Sequence, residues 1–349
     1  MNRKKTRVIR VRDVLIGGTN PISIQSMTNT NTKNYIETAK QINEMEEYGL
    51  DIIRFAVNDL EDAAAIKEIK SRIKVPTIAD IQYDYKLALA SIENGIDGLR
   101  INPGNIGARW KVEEVAKACM DRGISIRIGV NAGSLSQEIL DAFSGVNENS
   151  IVESALNEVN VLESMGFKDI KVSLKASDVN LSLRSYKKFS ELSDCPLHLG
   201  ITEAGPGLQG VVKSSVGIGT LLSQGIGDTI RVSLTERPLE EVKVGREILK
   251  SLGLRNDGIE IISCPTCART KVDLFKIVKK AQDHFEKMDK NLKVAIMGCA
   301  VNGPGEAREA DIGIASGKGC GLIFKKGKIV KKVKEEQLLE ELIKEMEDM

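Results

Sequence analysis

No long apolar run interrupts the 349 residues, and none follows the six Lys and Arg that precede Gly17. A secretory leader and a membrane-spanning helix are therefore not expected. Neither sign of charge is in excess. Fifty Lys and Arg face 49 Asp and Glu for a net charge of +1, which gives no reason to expect nucleic acid or an anionic membrane as partner. The basic start then reads as a solvated edge, and the protein as cytoplasmic. Nucleotide and cofactor signatures are missing as well. There is no Gly-x-x-x-x-Gly-Lys-Ser/Thr loop, no Gly-x-Gly-x-x-Gly after the first strand pattern and no Cys-x-x-x-Cys-x-x-Cys. A Walker-type site, a nicotinamide or flavin fold and S-adenosylmethionine radical chemistry all lose their markers.

Six cysteines without an export signal argue against a disulfide framework. Cys119 lies in a helical pattern and reads as a small buried apolar residue; Cys195, before Pro196, reads as structural. The others carry chemistry. Cys264-Pro265-Thr266-Cys267 is followed by Gly298-Cys299-Ala300-Val301-Asn302-Gly303-Pro304-Gly305-Glu306. Three thiols from two Gly/Pro-rich turns suit a soft metal centre, either an iron–sulfur cluster or zinc. The fourth ligand must be something else. Glu306, seven residues past Cys299, is the nearest candidate, and Cys320 in Lys318-Gly319-Cys320-Gly321 is the alternative. An oxygen ligand would leave one iron labile and open to substrate, as catalysis requires.

Short β-rich runs begin near Ile22, Ile52, Thr77, Gly98, Ser125, Asp169, Pro196 and Thr229, with helical patterns between them such as residues 35–48 and 151–165. Gly49, Gly95, Gly166 and Gly225 lead into strands, as left-handed helix caps do. Eight strand–helix units predict a (β/α)8 barrel over residues 1–255; an open doubly wound sheet is the competing arrangement. After Gly258 the rhythm changes. Residues 256–349 read as a small α+β module, with both cysteine turns at strand ends, a helix over 271–289 and another over 335–347.

The proposed strand ends give Arg54, Asp80, Arg100 with Asn102, Arg127 with Asn131, Ser173 with Lys175, His198 with Thr202 and Glu203, and Arg231 with Ser233; Lys213 follows in the next loop. Barrel active sites occupy this face. So many cations with few acids predict a polyanion site, although each strand-end cation could instead pair with a neighbouring acid. His198, one of two histidines, either donates to the anion or is a satisfied core residue. Residues 214–220 are a weak phosphate-loop candidate or a tight loop entering a helix.

The cysteine turns, together with Leu99-Arg100-Ile101-Asn102-Pro103-Gly104, Lys171-Val172-Ser173-Leu174-Lys175-Ala176-Ser177, His198-Leu199-Gly200-Ile201-Thr202-Glu203 and Lys213-Ser214-Ser215-Val216-Gly217, make the chain similar to the bacterial 4-hydroxy-3-methylbut-2-enyl diphosphate synthases. The resemblance spans nearly the whole chain. It implies a barrel followed by an iron–sulfur domain, and a two-electron ring opening and dehydration of a cyclic diphosphate. It implies a [4Fe–4S] cluster on Cys264, Cys267, Cys299 and Glu306, fed by flavodoxin or ferredoxin, in a head-to-tail homodimer. Glu203 becomes the candidate proton donor to the departing hydroxyl, an ion pair being the alternative. Arg54, Arg100, Asn102, Arg127, Asn131, Lys175, His198, Lys213 and Arg231 become the candidate substrate ligands. Gln82 stands where the family commonly has histidine, so an acid role at that position is not expected.

Overall fold

The structure is a computed structural model that describes residues 3–270, 272–285, 288, 290–299 and 308–349. The expectations placed on Glu306 and its turn lie outside the described residues. Contacts divide the chain into two compact units that join between Arg255 and Asn256.

The first unit begins with an antiparallel hairpin, β1 (Ile9–Val11) and β2 (Val14–Ile16). Eight parallel strands follow: β3 (Ser23–Met27), β4 (Ile52–Ala56), β5 (Thr77–Asp80), β6 (Gly98–Ile101), β7 (Ser125–Asn131), β8 (Ile170–Lys175), β9 (His198–Leu199) and β10 (Thr229–Ile230). Their hydrogen-bonded order is β8-β7-β6-β5-β4-β3-β10-β9, and a parallel bridge between Val172 and Leu197 closes the ring. This is the expected (β/α)8 barrel.

Local chemistry fixes the alternation of strand and helix. Asn34, Asp59, Asp84 and Asp178 each accept a first-turn N–H at a helix start, worth about 1 kcal/mol apiece. Gly49, Gly95, Gly166 and Gly225 have φ of +92°, +84°, +84° and +77° where the chain turns back toward a strand, a conformation that costs glycine nothing. In β7, Ile126, Ile128 and Val130 join the apolar core between barrel and helices. Each contributes about 1.5–3 kcal/mol by burial. The alternate residues Ser125, Arg127, Gly129 and Asn131 face inward, as the period of two requires.

The hairpin was not anticipated. Ile9, Val11 and Ile16 pack on Ile52 and Ile78, the lowest inward residues of β4 and β5, and form an apolar floor to the barrel. The basic start is not a solvated edge either. Lys4 donates to the carbonyl of Ser193 (3.1 Å), and Arg7 pairs with Glu163 (2.7 Å) and with Asp194. Buried Asp228 accepts from Arg3 (3.0 Å), the Thr6 hydroxyl (3.0 Å) and the N–H of Leu197 (2.9 Å).

The second unit is a five-stranded sheet in the order β11 (Glu260–Ser263), β12 (Lys293–Met297), β13 (Ile312–Gly317), β14 (Cys320–Lys325), β15 (Lys328–Lys334). The first three strands run parallel and the last two form an antiparallel meander. Helices Leu274–Phe285 and Leu338–Glu347 cover one face. β15 escaped the sequence reading because its lysines mask the apolar alternation that marks a strand.

The Asp228 cluster yields a stability prediction. Asp228→Ala leaves Arg3, Thr6 and the Leu197 amide without their shared acceptor, and should lower the unfolding free energy by about 3 kcal/mol. Urea denaturation measures it; a loss near zero would show that the N-terminal strap contributes nothing to the barrel.

Candidate functional site

Above the apolar floor, the inward positions turn cationic. Asp80 and Arg100, Arg100 and Arg127, and Arg127 and Lys171 are successive register partners across β5, β6, β7 and β8, so four charged side chains form one row inside the barrel. Asp80 is the shared acceptor. It takes a hydrogen bond from Arg100 Nη1 (3.1 Å) and lies 3.5 Å from Arg54 Nε. Gln82 accepts from the same Arg100 nitrogen (3.1 Å) and donates to Asp80 (3.2 Å). It therefore acts as a neutral clamp where a histidine was the family expectation. Gly129 makes room for this guanidinium, since a Cβ there would stand 3.2 Å from Arg100 Nε.

Ion pairing thus accounts for Arg54 and Arg100. Arg231 also has an acid, Glu241 at 3.6 Å, which the sequence reading missed because it sits in the first turn of helix Pro238–Ser251 rather than at a strand end. Pairing does not account for the rest. Arg127 is fully buried and bonds only Ser173 Oγ (3.3 Å); its Nε and Nη2 have no partner, nor does Lys171 Nζ, among the described residues. Burial, then repulsion from Arg127 and Arg54, pushes the Lys171 ammonium down to about 7. Burial lowers Arg54 to about 9 against the pull of Asp80, and drives Arg127, Lys175 and His198 well below their ordinary values. A guanidinium does not deprotonate in practice. For the arginines the shift therefore measures the cost of a charge that a bound anion would relieve.

Lys171 is a second omission. It shares its strand face with Ser173 and Lys175 at steps of two, a signal available in the sequence. Arg127, Ser173, Lys175, His198, Arg231 and Ser233 line one pocket. Gly200 lines it too, and a Cβ there would meet the carbonyl oxygen of Arg231 at 2.8 Å. His198 is buried, with Nδ1 at 3.4 Å from Thr229 Oγ1.

Other expected residues fall elsewhere. Asn102 caps a short helix and accepts from the N–H of Gly104 (3.1 Å), and Asn131 ends β7; neither lines this pocket. Lys213 is not in a loop. It lies in helix Gly207–Ser223, as does the whole of the candidate phosphate loop 214–220. The glycines there serve close packing instead: a Cβ on Gly210 would sit 2.3 Å from the Gly205 carbonyl oxygen, and one on Gly217 2.5 Å from Ile201. Glu203 is exposed, has no ion pair among the described residues, and holds φ at +54°. That left-handed conformation costs a non-glycine residue about 1–2 kcal/mol.

In the second unit β11 and β12 are parallel neighbours, so the Cys264 and Cys299 turns leave the same end of the sheet. The N–H of Gly298 donates to Cys264 Sγ (3.3 Å). The N–H of Arg269, followed by its guanidinium, holds the exposed Cys267 thiol below its ordinary value. The second effect favours the Cys267 thiolate. Among the described residues no three His, Cys, Asp or Glu side chains are gathered as an ion-binding group. Cys119 and Cys195 are buried, as expected.

Lys171 generates a pH prediction. Its ordinary value is 10.5 and its folded value about 7. Between these the unfolded chain holds the extra proton, so ligand-free stability should climb as pH rises above 7, by at most about 1.4 kcal/mol per pH unit. Lys171→Met should flatten that slope and stabilise the protein at pH 7. Identical slopes in urea titrations at pH 7 and 9 would remove Lys171 from the buried charge.

Comparison with known proteins bears on both units. The GcpE TIM-barrel domain matches residues 6–246 and the GcpE protein C-terminal domain residues 260–348. The chain is 57% identical over 347 residues, 99% of each chain, to the 4-hydroxy-3-methylbut-2-en-1-yl diphosphate synthase (flavodoxin) of Clostridium perfringens. It is 58% identical to the protein of that name from Caldanaerobacter subterraneus, over 99% of this chain and 98% of the other. Dihydropteroate synthase of Yersinia pestis superposes with a TM-score of 0.51 at 12% identity, covering 70% of this chain and 98% of its own, a likeness of fold alone. With both units matched in order and identity above one half along almost the entire length, the chain belongs to the GcpE family.

Proposed function

We propose that the protein is a 4-hydroxy-3-methylbut-2-enyl diphosphate synthase of the non-mevalonate isoprenoid route. It reduces 2-C-methyl-D-erythritol 2,4-cyclodiphosphate by two electrons, opening its ring and releasing a hydroxyl as water. The observation that carries this reading is the row of buried cations inside the barrel, too many for the acids beside them among the described residues. A diphosphate supplies the missing negative charge. Among the described residues Arg127 offers unpaired donors, Lys175 and Arg231 line the same pocket, and Arg100 and Arg54 are held on Asp80. Charge-assisted bonds to the phosphate oxygens hold the substrate and stabilise the phosphate oxygen that departs when the ring opens. Lys213, Asn102 and Asn131 are proposed as outer contacts of the same ligand.

Glu203 is proposed as the proton donor to the leaving hydroxyl. Its exposed carboxyl, beside the pocket residue Thr202, is held in a strained conformation that ordinary packing would relax. His198, kept neutral by burial and by Arg127, can donate one hydrogen bond to the anion without adding charge.

The thiols fit an iron–sulfur centre. Cys264 already accepts an amide N–H and the Cys267 thiol is held below its ordinary value, both at the sheet end that also carries Cys299. Cys264, Cys267 and Cys299 would hold a [4Fe–4S] cluster, with Glu306 as the proposed fourth ligand and second catalytic carboxylate. Such a cluster supplies low-potential electrons one at a time and a Lewis-acidic iron. Flavodoxin or ferredoxin as donor, a head-to-tail homodimer and a cytoplasmic location complete the proposal. Among the described residues no helix is long and apolar enough to cross a membrane.

Protein purified without oxygen should carry about four irons per chain, and Cys264→Ser, Cys267→Ser and Cys299→Ser should each lose them. Stoichiometric zinc in place of iron would refute the reading. Glu306→Ala should keep a coloured centre while losing most turnover of the cyclic diphosphate; near-normal activity would move suspicion to Cys320.

Arg100→Ala removes a charged hydrogen bond worth about 1.5–3 kcal/mol. Binding of the cyclic diphosphate, followed by calorimetry, should weaken by about one to two orders of magnitude with the cluster spectrum unaltered. Unchanged affinity would place the anion elsewhere.

A further inference from the structure

We propose that the sheet face carrying Cys264 is also a docking surface for an acidic one-electron carrier protein, recognised through Lys318, Lys332 and Lys334. The proposal rests on the functional reading above, which needs electrons from outside because the chain has no flavin or nicotinamide motif.

The charge distribution is the first observation. From residue 312 to 334 the chain holds seven lysines and no acid, although its total charge is only +1. Strand alternation sorts these lysines into two groups. Lys331 is opposite Ile323, which packs under helix Leu338–Glu347, and it pairs with Glu341 of that helix; Lys325 pairs with Glu345 (2.8 Å). On the helix side Lys325 and Lys331 are therefore paired, while Lys328, opposite Lys325 at the other end of β15 from Lys334, has no ion pair among the described residues. Lys332 and Lys334 have the other parity, opposite Leu322 and Cys320. On that face Phe324 clusters with Met297 and Cys264.

Lys318 belongs to the same end of the sheet. It lies in the turn between β13 and β14, and β13 runs parallel to β12, so this turn emerges beside the Gly298-Cys299 turn. At a strand spacing of about 4.8 Å, Lys318 is one strand removed from β12 and Lys334 three. All three lysines are exposed, and none has an ion pair or hydrogen bond from its ammonium among the described residues. The nearest acid in sequence, Glu335, is engaged in accepting the N–H of Gly319 (3.2 Å).

Lysines also guard edge strands against unwanted pairing. That accounts for a charged β15. It does not account for Lys318, which is in a turn, nor for the gathering of bare lysines at the sheet end that carries the cysteine turns. A carrier needs fast, weak, repeated encounters, and solvent-exposed rim charges supply on-rate and salt dependence more than affinity. At each encounter the carrier's reduced flavin gives up one electron. Two encounters provide the pair that the dehydration consumes, with no atom transferred. The synthases of Clostridium perfringens and Clostridium tetani, 57% and 56% identical to this chain, carry flavodoxin in their names.

The test uses the full-length, iron-loaded protein, purified bacterial flavodoxin and, as a donor that needs no docking, sodium dithionite. The triple variant Lys318→Glu, Lys332→Glu, Lys334→Glu should raise the KM for flavodoxin at least about tenfold. It should also weaken flavodoxin binding on a surface-plasmon sensor and flatten its dependence on NaCl, while dithionite-driven turnover and iron content stay unchanged. An unaltered flavodoxin KM and salt slope would overturn the docking surface. So would lysine-dependent binding of duplex DNA or anionic vesicles with flavodoxin binding intact. Absence of turnover with dithionite in the unmodified protein would instead refute the functional reading beneath it.

Discussion

Arg127 lies fully buried in the middle of a parallel barrel and Lys171 stands in register with it; among the described residues two guanidinium nitrogens of the one and the ammonium of the other are unpartnered. Most barrels of this type fill their interior with layers of branched apolar side chains. Here the floor is apolar, and the layers above it hold Arg54, Arg100, Arg127, Lys171 and Lys175 around the Asp80 carboxylate, with Glu241 beside Arg231. Such crowding of like charge opposes folding. The outer apolar core, the capped helices and the N-terminal strap must outweigh it before any ligand arrives. A polyanion that enters then finds its counter-charges already placed and desolvated, and little reorganisation is left to oppose binding.

That constraint gives several local features a common purpose. Gly129 is small so that Arg100 can lie flat beside it, and Gly200 so that β9 can approach the Arg231 carbonyl. Gln82 holds Arg100 and Asp80 without adding charge to a row that already has too much of one sign. Tyr186 bonds the carbonyl of His198 (2.7 Å) and the N–H of Leu174 (3.1 Å), linking β9 to β8 where the barrel closure consists of one isolated bridge. Each of these contacts fixes the wall against which the cations are set.

The second unit applies a different rule. Its candidate ligand atoms come not from inward strand faces but from turns at one end of a small sheet, where backbone N–H groups can point at sulfur. Parallel pairing of β11 with β12 brings two cysteine turns together although more than thirty residues separate them. The same pairing logic, extended across β13 to β15, assigns the lysines to two faces with different fates. On one face an acidic helix pairs Lys325 and Lys331; on the other Lys332 and Lys334 stay bare among the described residues.

The order of eight strands, the helix-terminating glycines, the strand-end cations and the cysteine turns were all legible in the sequence, because each depends on residues a few positions apart. Periods of two and of three to four residues, a left-handed glycine and a Cys-x-x-Cys turn are local chemistry. What the sequence could not reveal depends on partners distant along the chain. The hairpin floor needs Ile52 and Ile78 to be recognised. Glu241 meets Arg231 only because a helix folds back on β10. The small-residue run 214–220 reads as a loop until Ile201 and Gly205 are seen pressing on its glycines. Likewise, whether a strand-end cation is paired or bare is a matter of which acid the closed barrel places within reach. The sequence determined which side chains could bind an anion, and the tertiary structure decided which of them were left without a counter-ion.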